Sequence, residues 1–201
     1  MWPEVESTGY SDMPASQRQK YTKSLDAVAF TLATWFGVGF LPVAPGTWAS
    51  ISTIVIFVLF SCLDMEGQFL FGVSASVLIL LLFLGIWASD RSEKILGKKD
   101  DGRIVIDEVF GQSLALFPLI ANFVFSPLES FFWNASSVAA VVTAFVAFRC
   151  FDITKLGPVG WADRRVSGGV GVMLDDLIAG VMAAVCVTAV LFAFNLAGEI
   201  Y

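Results

Sequence analysis

The chain alternates long apolar runs with short polar segments, a pattern typical of a helical membrane protein. A run such as residues 69–89, which carries no charge, is long enough to cross a bilayer as one helix. The apolar run 25–36 is too short to cross and ends at a Gly- and Pro-rich segment, which predicts a re-entrant or interfacial helix. We therefore predict an all-α integral membrane protein with about five transmembrane helices, over residues 48–63, 69–89, 104–125, 131–148 and 177–197.

The distribution of Lys and Arg predicts how these helices are oriented. All twelve basic residues lie outside the connections 64–68 and 126–134 and outside the C-terminal segment 198–201. With five spans the basic segments share one face, and the positive-inside rule makes that face, with the N-terminus, cytoplasmic. The polar segment 1–24 has no apolar core of a secretory signal. We expect it to be a disordered tail, with residues 25–201 forming the membrane-embedded catalytic domain.

Composition supports the membrane class and excludes some chemistry. The chain is 57% hydrophobic and 15% charged, whereas soluble domains have about 45–50% apolar and 25% charged residues. It has no histidine, which removes the commonest general base and transition-metal ligand. No run of Lys and Arg is long enough to follow a phosphate backbone, so a nucleic-acid partner is not expected.

Six carboxylates lie inside or beside apolar runs, and the predicted topology puts all of them on the cytoplasmic side. A charged residue at the centre of a membrane helix costs roughly 2.5–3.5 kcal/mol on insertion scales, so such groups usually bind something. Several converging carboxylates indicate a divalent cation, and Mg²⁺ prefers oxygen ligands. The six are Asp107, Glu108, Asp152, Asp163, Asp175 and Asp176.

Two Gly-rich segments each precede a predicted helix. In GVGFLPVAPGT, Gly46 and Thr47 lie where a helix N-terminus would offer free N–H groups to an anion, although ordinary loops also contain Gly and Pro. In GGVGVMLDD, the glycines are expected to form a loop, with Asp175 and Asp176 in the first helical turn. Acidic residues there favour a helix N-terminus, but two adjacent carboxylates exceed that need and favour metal binding.

Two further motifs place charge at predicted helix ends. Asp107 and Glu108 are adjacent, so on a helix they point about 100° apart and only one faces a given site directly. Arg149, Asp152 and Lys155 are spaced by three along one predicted helix face. They form either a self-neutralising ladder, or a site in which Arg149 and Lys155 bind a phosphate while Asp152 binds the metal.

These groups favour a lipid phosphatase that acts on a phospholipid with an exposed phosphate. Hydrolysis by a metal-activated water is the simplest mechanism, and an Asp nucleophile remains open. The alternative is a small transporter or ion channel lined by intramembrane carboxylates, but a pathway needs polar residues through the bilayer and these helices are apolar elsewhere. A non-catalytic subunit that binds anionic lipid would need basic clusters instead.

Four motifs together resemble those of the phosphatidylglycerophosphatase A family in order, spacing and composition. They are GVGFLPVAPGT, IVIDEVFG, FRCFDITK and DRRVSGGVGVMLDDLIAG, within roughly residues 35–195. The resemblance implies a Mg²⁺-dependent enzyme of the bacterial inner membrane. It would remove the terminal phosphate of phosphatidylglycerol phosphate to give phosphatidylglycerol, on the route to cardiolipin.

By the resemblance, the implied site residues are Pro45, Gly46, Thr47, Asp107, Glu108, Asp152, Lys155, Asp163, Asp175 and Asp176. Of these, the expected metal ligands are Asp107, Glu108, Asp175 and Asp176. Within the same motifs we expect Arg149, Arg164 and Gly169 to bind substrate as well. The chain has Ala49 where the family usually has Gly, and Leu156 where it usually has Pro. Both changes affect backbone shape rather than charge.

Overall fold

The computed structural model describes residues 15–63, 66–99, 101–125 and 134–198. The regular structure of this part of the chain is entirely helical, with one 3₁₀ turn at Val38–Phe40 between the first two α-helices. The helices are α1 (Ala15–Ala33), α2 (Pro45–Ser61), α3 (Gly67–Leu96), α4 (Ile106–Phe125), α5 (Ala135–Thr154), α6 (Pro158–Arg165) and α7 (Gly168–Gly198).

Three of the helices, α3, α5 and α7, are long and apolar enough to cross a membrane. Helix α2 is apolar but shorter, and α4 has 20 residues with Asp107 and Glu108 in its first turn. Large apolar side chains such as Ile79, Val142 and Phe192 are mostly exposed on the helix surfaces, as expected where lipid replaces water. The chain is a helical membrane protein, while the count of five spans and the cytoplasmic N-terminus stay predictions.

Several helices extend beyond their predicted spans, α3 and α7 the furthest. Helix α3 continues to Leu96, and its last turns carry an exposed ion pair of Asp90 with Lys94 at 2.6 Å. Helix α7 begins at Gly168, so the predicted glycine loop before residue 177 is wrong. Gly169 and Gly171 there pack against backbone carbonyls, which a side chain would prevent.

The N-terminal prediction also needs correction. Helix α1 begins at Ala15, so residues 15–24 are helical rather than part of a disordered tail. The helix ends at Ala33, before the predicted limit of residue 36, and Trp35 and Phe36 adopt left-handed backbone angles. Residues 1–14, and residues 131–133 of the predicted fourth span, lie outside the described part of the chain.

Helix α4 is the central element, with α2, α3, α5 and α7 packed around it. It packs most extensively against α7, where a Cβ built on Gly180 would lie 2.7 Å from the carbonyl oxygen of Gly111. Small residues allow helices to pack closely in a membrane, because the backbones themselves come into contact. The buried core beside this crossing is rich in alanine, including Ala115, Ala144 and Ala183.

We expect the substitution Gly180→Ala to destabilise the protein by roughly 1–3 kcal/mol, because its methyl group overlaps the α4 backbone and forces α4 and α7 apart. Thermal unfolding in detergent measures the loss. Gly72→Ala on α3 is the matched control, because a Cβ there meets nothing within 4 Å. A melting temperature for Gly180→Ala equal to that of the control would contradict the importance of this crossing.

Candidate active site

Three carboxylates meet where the first turn of α4 faces α7. One carboxylate oxygen each from Asp107, Glu108 and Asp176 can be chosen so that all lie within 4.8 Å of one another. The start of α4 is fixed by a hydrogen bond from the Val105 amide to the Ala33 carbonyl, at 2.8 Å. Asp107 and Glu108 both contribute an oxygen to the cluster. Their adjacent positions on the helix had predicted that only one of them faces a given site directly.

The cluster is largely buried, with Asp176 buried and Asp107 and Glu108 partly buried, and several of its oxygen atoms lack a hydrogen-bond partner within the described residues. Oδ1 of Asp107, Oε2 of Glu108 and Oδ2 of Asp176 are buried, with no hydrogen-bond partner among the described residues. A buried carboxylate oxygen without a partner is costly, and neighbouring negative charges repel. A divalent cation bound by oxygen ligands relieves both costs, so this donor set fits Mg²⁺.

Glycines let the surrounding helices approach these carboxylates. A Cβ on Gly46, in the first turn of α2, would overlap the Glu108 carboxylate. A Cβ on Gly111 would lie 2.9 Å from the carbonyl oxygen of Asp176. Ala44, which precedes α2, has a left-handed backbone with φ 47°, and non-glycine residues rarely adopt it away from functional sites. The GVGFLPVAPGT segment thus contacts the cluster through Gly46.

A second group of charges is centred on Lys155, at the end of α5. Its ammonium donates hydrogen bonds to Asp163 on α6, at 2.5 Å, and to Asp175 on α7, at 2.7 Å. Burial acts to lower the pKa of Lys155, but the hydrogen bonds to the two carboxylates outweigh it and raise the pKa above its usual value. Lys155 therefore stays charged and joins three helices.

The predicted ladder on α5 is only partly present. Arg149 pairs with Asp152 at 2.7 Å, with both side chains 14% exposed. Lys155 follows the last helical residue and has left-handed backbone angles, φ 47° and ψ 43°. It therefore does not share the helix face that carries Arg149 and Asp152. Asp152 lies close enough to Glu108 and Asp176 to interact with both electrostatically. The ion pair of α5 is thus adjacent to the three-carboxylate cluster.

Other predicted site residues are not part of the three-carboxylate cluster. Thr47 is partly buried in the first turn of α2, where its amide donates to Ala44. Arg164 is exposed at the end of α6, and Gly169 contacts the α3 backbone at Ile86 and Asp90. Asp175 pairs with Lys155, so the two adjacent aspartates of α7 have different surroundings. The predicted roles of these residues stay predictions.

Gln112 is a candidate that the sequence reading missed. It is fully buried on α4, one turn beyond Glu108, and neither atom of its side-chain amide has a hydrogen-bond partner in the described chain. The sequence does carry a signal for Gln112, because it lies four positions after Glu108 and therefore on the same face of the helix. Its amide can both donate and accept, which suits a bound water or substrate oxygen.

The loop before α4 is held by a separate charge pair. Arg103 donates to both carboxylate oxygens of Asp101, at 2.7 and 3.0 Å. The hydrogen bond from the Arg103 side chain lowers the pKa of Asp101 to about 2. The carbonyl of Arg103 lies so close to Gly39 that a Cβ on the glycine would overlap it. This pair therefore positions the loop that leads into Asp107.

Fold and site together define a helical membrane protein with a buried acidic cluster beside basic side chains at one end of its bundle. The family model of phosphatidylglycerophosphatase A matches residues 31–191, and the chain belongs to that family. The membership identifies an enzyme family of lipid metabolism whose members are phosphatases.

Curated relatives agree with this membership. The chain is 34% identical over 153 residues to phosphatidylglycerophosphatase A of Escherichia coli K12, covering 76% of this chain and 77% of that protein. It is 32% identical to the protein of the same name from Haemophilus influenzae Rd, covering 79% and 86%. It is also 35% identical to a putative phosphatidylinositol-3-phosphatase of Bacteroides thetaiotaomicron, covering 78% and 89%. No solved structure matches the chain.

We expect the stability contributed by Asp101 to depend on pH. Its pKa is lower in the folded protein than the ordinary 3.8, so its contribution is complete above about pH 4 and is lost as the pH falls towards 2. Thermal unfolding of the protein and of Asp101→Asn should differ at pH 7 and converge near pH 2. Asp90→Asn removes an exposed ion pair and should change little at either pH. An Asp101→Asn defect of equal size at both pH values would refute this assignment.

Proposed function

We propose that this chain is a Mg²⁺-dependent phosphatase that hydrolyses phosphatidylglycerol phosphate to phosphatidylglycerol and inorganic phosphate. The reaction belongs to phospholipid and cardiolipin biosynthesis, at the cytoplasmic face of the bacterial inner membrane. Membership of the family and the names of two relatives support the reaction. The observation that carries the metal requirement is a set of three carboxylates, each with a buried oxygen that has no hydrogen-bond partner among the described residues.

In this proposal, Asp107, Glu108 and Asp176 hold the metal ion. Bound Mg²⁺ would neutralise charge that develops on the transferred phosphoryl group. Asp175 is expected to contribute from beside them, with Lys155 fixing the orientation of its carboxylate at 2.7 Å. Since the chain has no histidine, one of these carboxylates is the proposed general base or nucleophile.

Arg149 is the cation best placed to bind the substrate phosphate. Its Nε and Nη1 are both buried without a well-formed hydrogen bond in the described structure, although Nη1 lies 2.7 Å from Asp152 and forms an ion pair with it. Arg can bind two phosphate oxygens at once, and a buried free N–H favours an added acceptor. Lys155 already has two carboxylate partners, so its role in this proposal is to position Asp163 and Asp175.

The distribution of polar groups disfavours the transporter or ion channel. The acidic residues lie at the start of α4, the end of α5 and the first part of α7, which adjoin at one end of the bundle. Beyond this end, the core between α4, α5 and α7 consists of residues such as Leu116, Ala144 and Val187. A charged substrate crossing the membrane would need polar groups along that length.

The Bacteroides relative supports a second substrate within the same chemistry. That protein is named a putative phosphatidylinositol-3-phosphatase, and phosphatidylinositol 3-phosphate also carries a phosphate monoester on a lipid headgroup. Both lipids therefore belong in the same assay, and the ratio of their kcat/KM values decides between them.

We expect Asp107→Asn and Asp176→Asn each to lower the rate of phosphate release by at least roughly 100-fold, because loss of a metal ligand costs more than loss of a group that orients one. Phosphate released from phosphatidylglycerol phosphate in detergent micelles, with Mg²⁺ and with EDTA, measures this. Asp90→Asn on α3 is the control and should keep most of the activity, since its carboxylate pairs with exposed Lys94. Full activity of both site variants would refute the site, and release that persists in EDTA would refute the metal requirement.

Metal binding can be tested without turnover. We expect Mg²⁺ to raise the melting temperature by a few degrees, about as mass action predicts for a ligand in large excess over its Kd. The shift should disappear in Asp107→Asn and Asp176→Asn and remain in Asp90→Asn. An undiminished shift in the two site variants would show that the ion binds elsewhere.

A further inference from the structure

An apolar groove runs along α4 between α2 and α3. Helices α2 and α3 both pack on α4 but hardly on each other, which leaves a cavity of about 270 Å³ between them. This is close to the lower end of ligand-pocket volumes, roughly 300 Å³. The floor of the groove is one face of α4, formed by Val109, Ser113, Phe117 and Ile120.

The groove offers almost no polar group to an occupant. The Thr53 hydroxyl donates to the Ala49 carbonyl at 2.9 Å, and the Ser113 hydroxyl donates to Val109 at 2.7 Å. These polar side chains are thus satisfied within their own helices. The walls are otherwise largely aliphatic or aromatic, as at Phe57. Only an apolar occupant suits such a surface, because a polar one would lose its hydrogen bonds with water.

The groove begins next to the carboxylate cluster. Val109, at one end of its floor, directly follows Glu108. On α2, Gly46 contacts Glu108 while Thr53 lines the groove, and residues seven apart lie on the same helix face. Trp35 covers this end and is fixed by a hydrogen bond from its ring N–H to Ser52, at 3.0 Å. A molecule whose polar end lies at the cluster can therefore extend its apolar part into the groove.

The length of the groove favours a lipid acyl chain as its occupant. From Val109 to Ile120 the helical rise of 1.5 Å per residue gives about 16 Å, and half of a bilayer hydrocarbon core of about 30 Å is 15 Å. One lipid leaflet therefore matches the groove in depth. Its outer rim is open, with Ile56 51% and Val77 45% exposed, so a chain can enter sideways from the membrane.

We infer that this groove binds one acyl chain of the phospholipid whose phosphate reaches the carboxylate cluster. The inference rests on the proposed function for the identity of the headgroup. Binding one chain beside α4 would hold the headgroup at a fixed depth and would make affinity depend on chain length. Binding energy from a part of the substrate that does not react can in this way serve to orient the part that does.

Photocrosslinking tests the groove directly in the unmodified protein. The probe is phosphatidylglycerol phosphate with a diazirine in the middle of one acyl chain, irradiated with the purified full chain in lipid nanodiscs. We expect mass spectrometry to find cross-links on the groove faces of α2, α3 and α4, removed by excess unlabelled substrate but not by phosphatidylcholine. Labels spread over outward residues such as Ile79 and Val142, or unaffected by the competitor, would overturn the inference.

A matched pair of serines on α3 supplies the kinetic test. Ser74 lines the groove, whereas Ser76 is exposed on another face of the helix. Ser74→Trp should raise KM for a long-chain substrate by about tenfold, as expected for lost burial of a few methylene groups. It should leave the rate with a short-chain analogue unchanged, and Ser76→Trp should change neither.

The outcomes separate this inference from the proposed function. Cross-links in the groove that excess unlabelled substrate removes, without any phosphate release, would support acyl-chain binding in the groove and refute the proposed reaction. Normal release, with Ser74→Trp and Ser76→Trp showing the same dependence on chain length, would refute the groove and sustain the reaction. If Ser74→Trp instead converts a dimer into a monomer, the groove is covered by a second copy and the inference fails.

Discussion

The close crossing of α4 and α7 sets the geometry on which the candidate site depends. Gly111 and Gly180 let the two backbones approach until a single methyl group would no longer fit between them. Asp107 and Glu108 lie one turn before Gly111, and Asp176 lies one turn before Gly180. The same contact that packs the helices therefore fixes the separation of the carboxylates. Acidic side chains that are buried together repel one another and lose their hydration. Helix packing of this kind therefore has to hold them close.

Much of the architecture and the outline of the site could be predicted from the sequence. Uncharged runs such as 69–89 were sufficient to identify apolar helices, because hydropathy and length alone decide membrane partitioning. The grouping of Asp107 with Asp176 followed from placing their motifs on one side of the membrane. Which carboxylate faces which neighbour was not predictable, since Asp175 and Asp176 differ only in the packing around α7.

Two of the three errors have a common physical origin. Gly168 begins a helix rather than a loop because the glycines near it contact the α3 backbone and Val166, and such contacts are invisible in a linear pattern. Lys155 departs from the face of Arg149 because the chain reverses there into α6. Gln112 was overlooked because a single polar residue changes the hydropathy of a run very little. In the first two cases tertiary packing overrides a local signal.

Position 155 also limits how the protein can change during evolution. A left-handed backbone costs a side-chain-bearing residue roughly 1–2 kcal/mol, and glycine alone escapes this cost. Yet the ammonium at this position serves two carboxylates on different helices. A substitution that relaxes the backbone removes the cation, and one that preserves the cation keeps the strain. Few single-step replacements satisfy both demands, so sequence drift at this position is expected to be slow even where neighbouring residues vary.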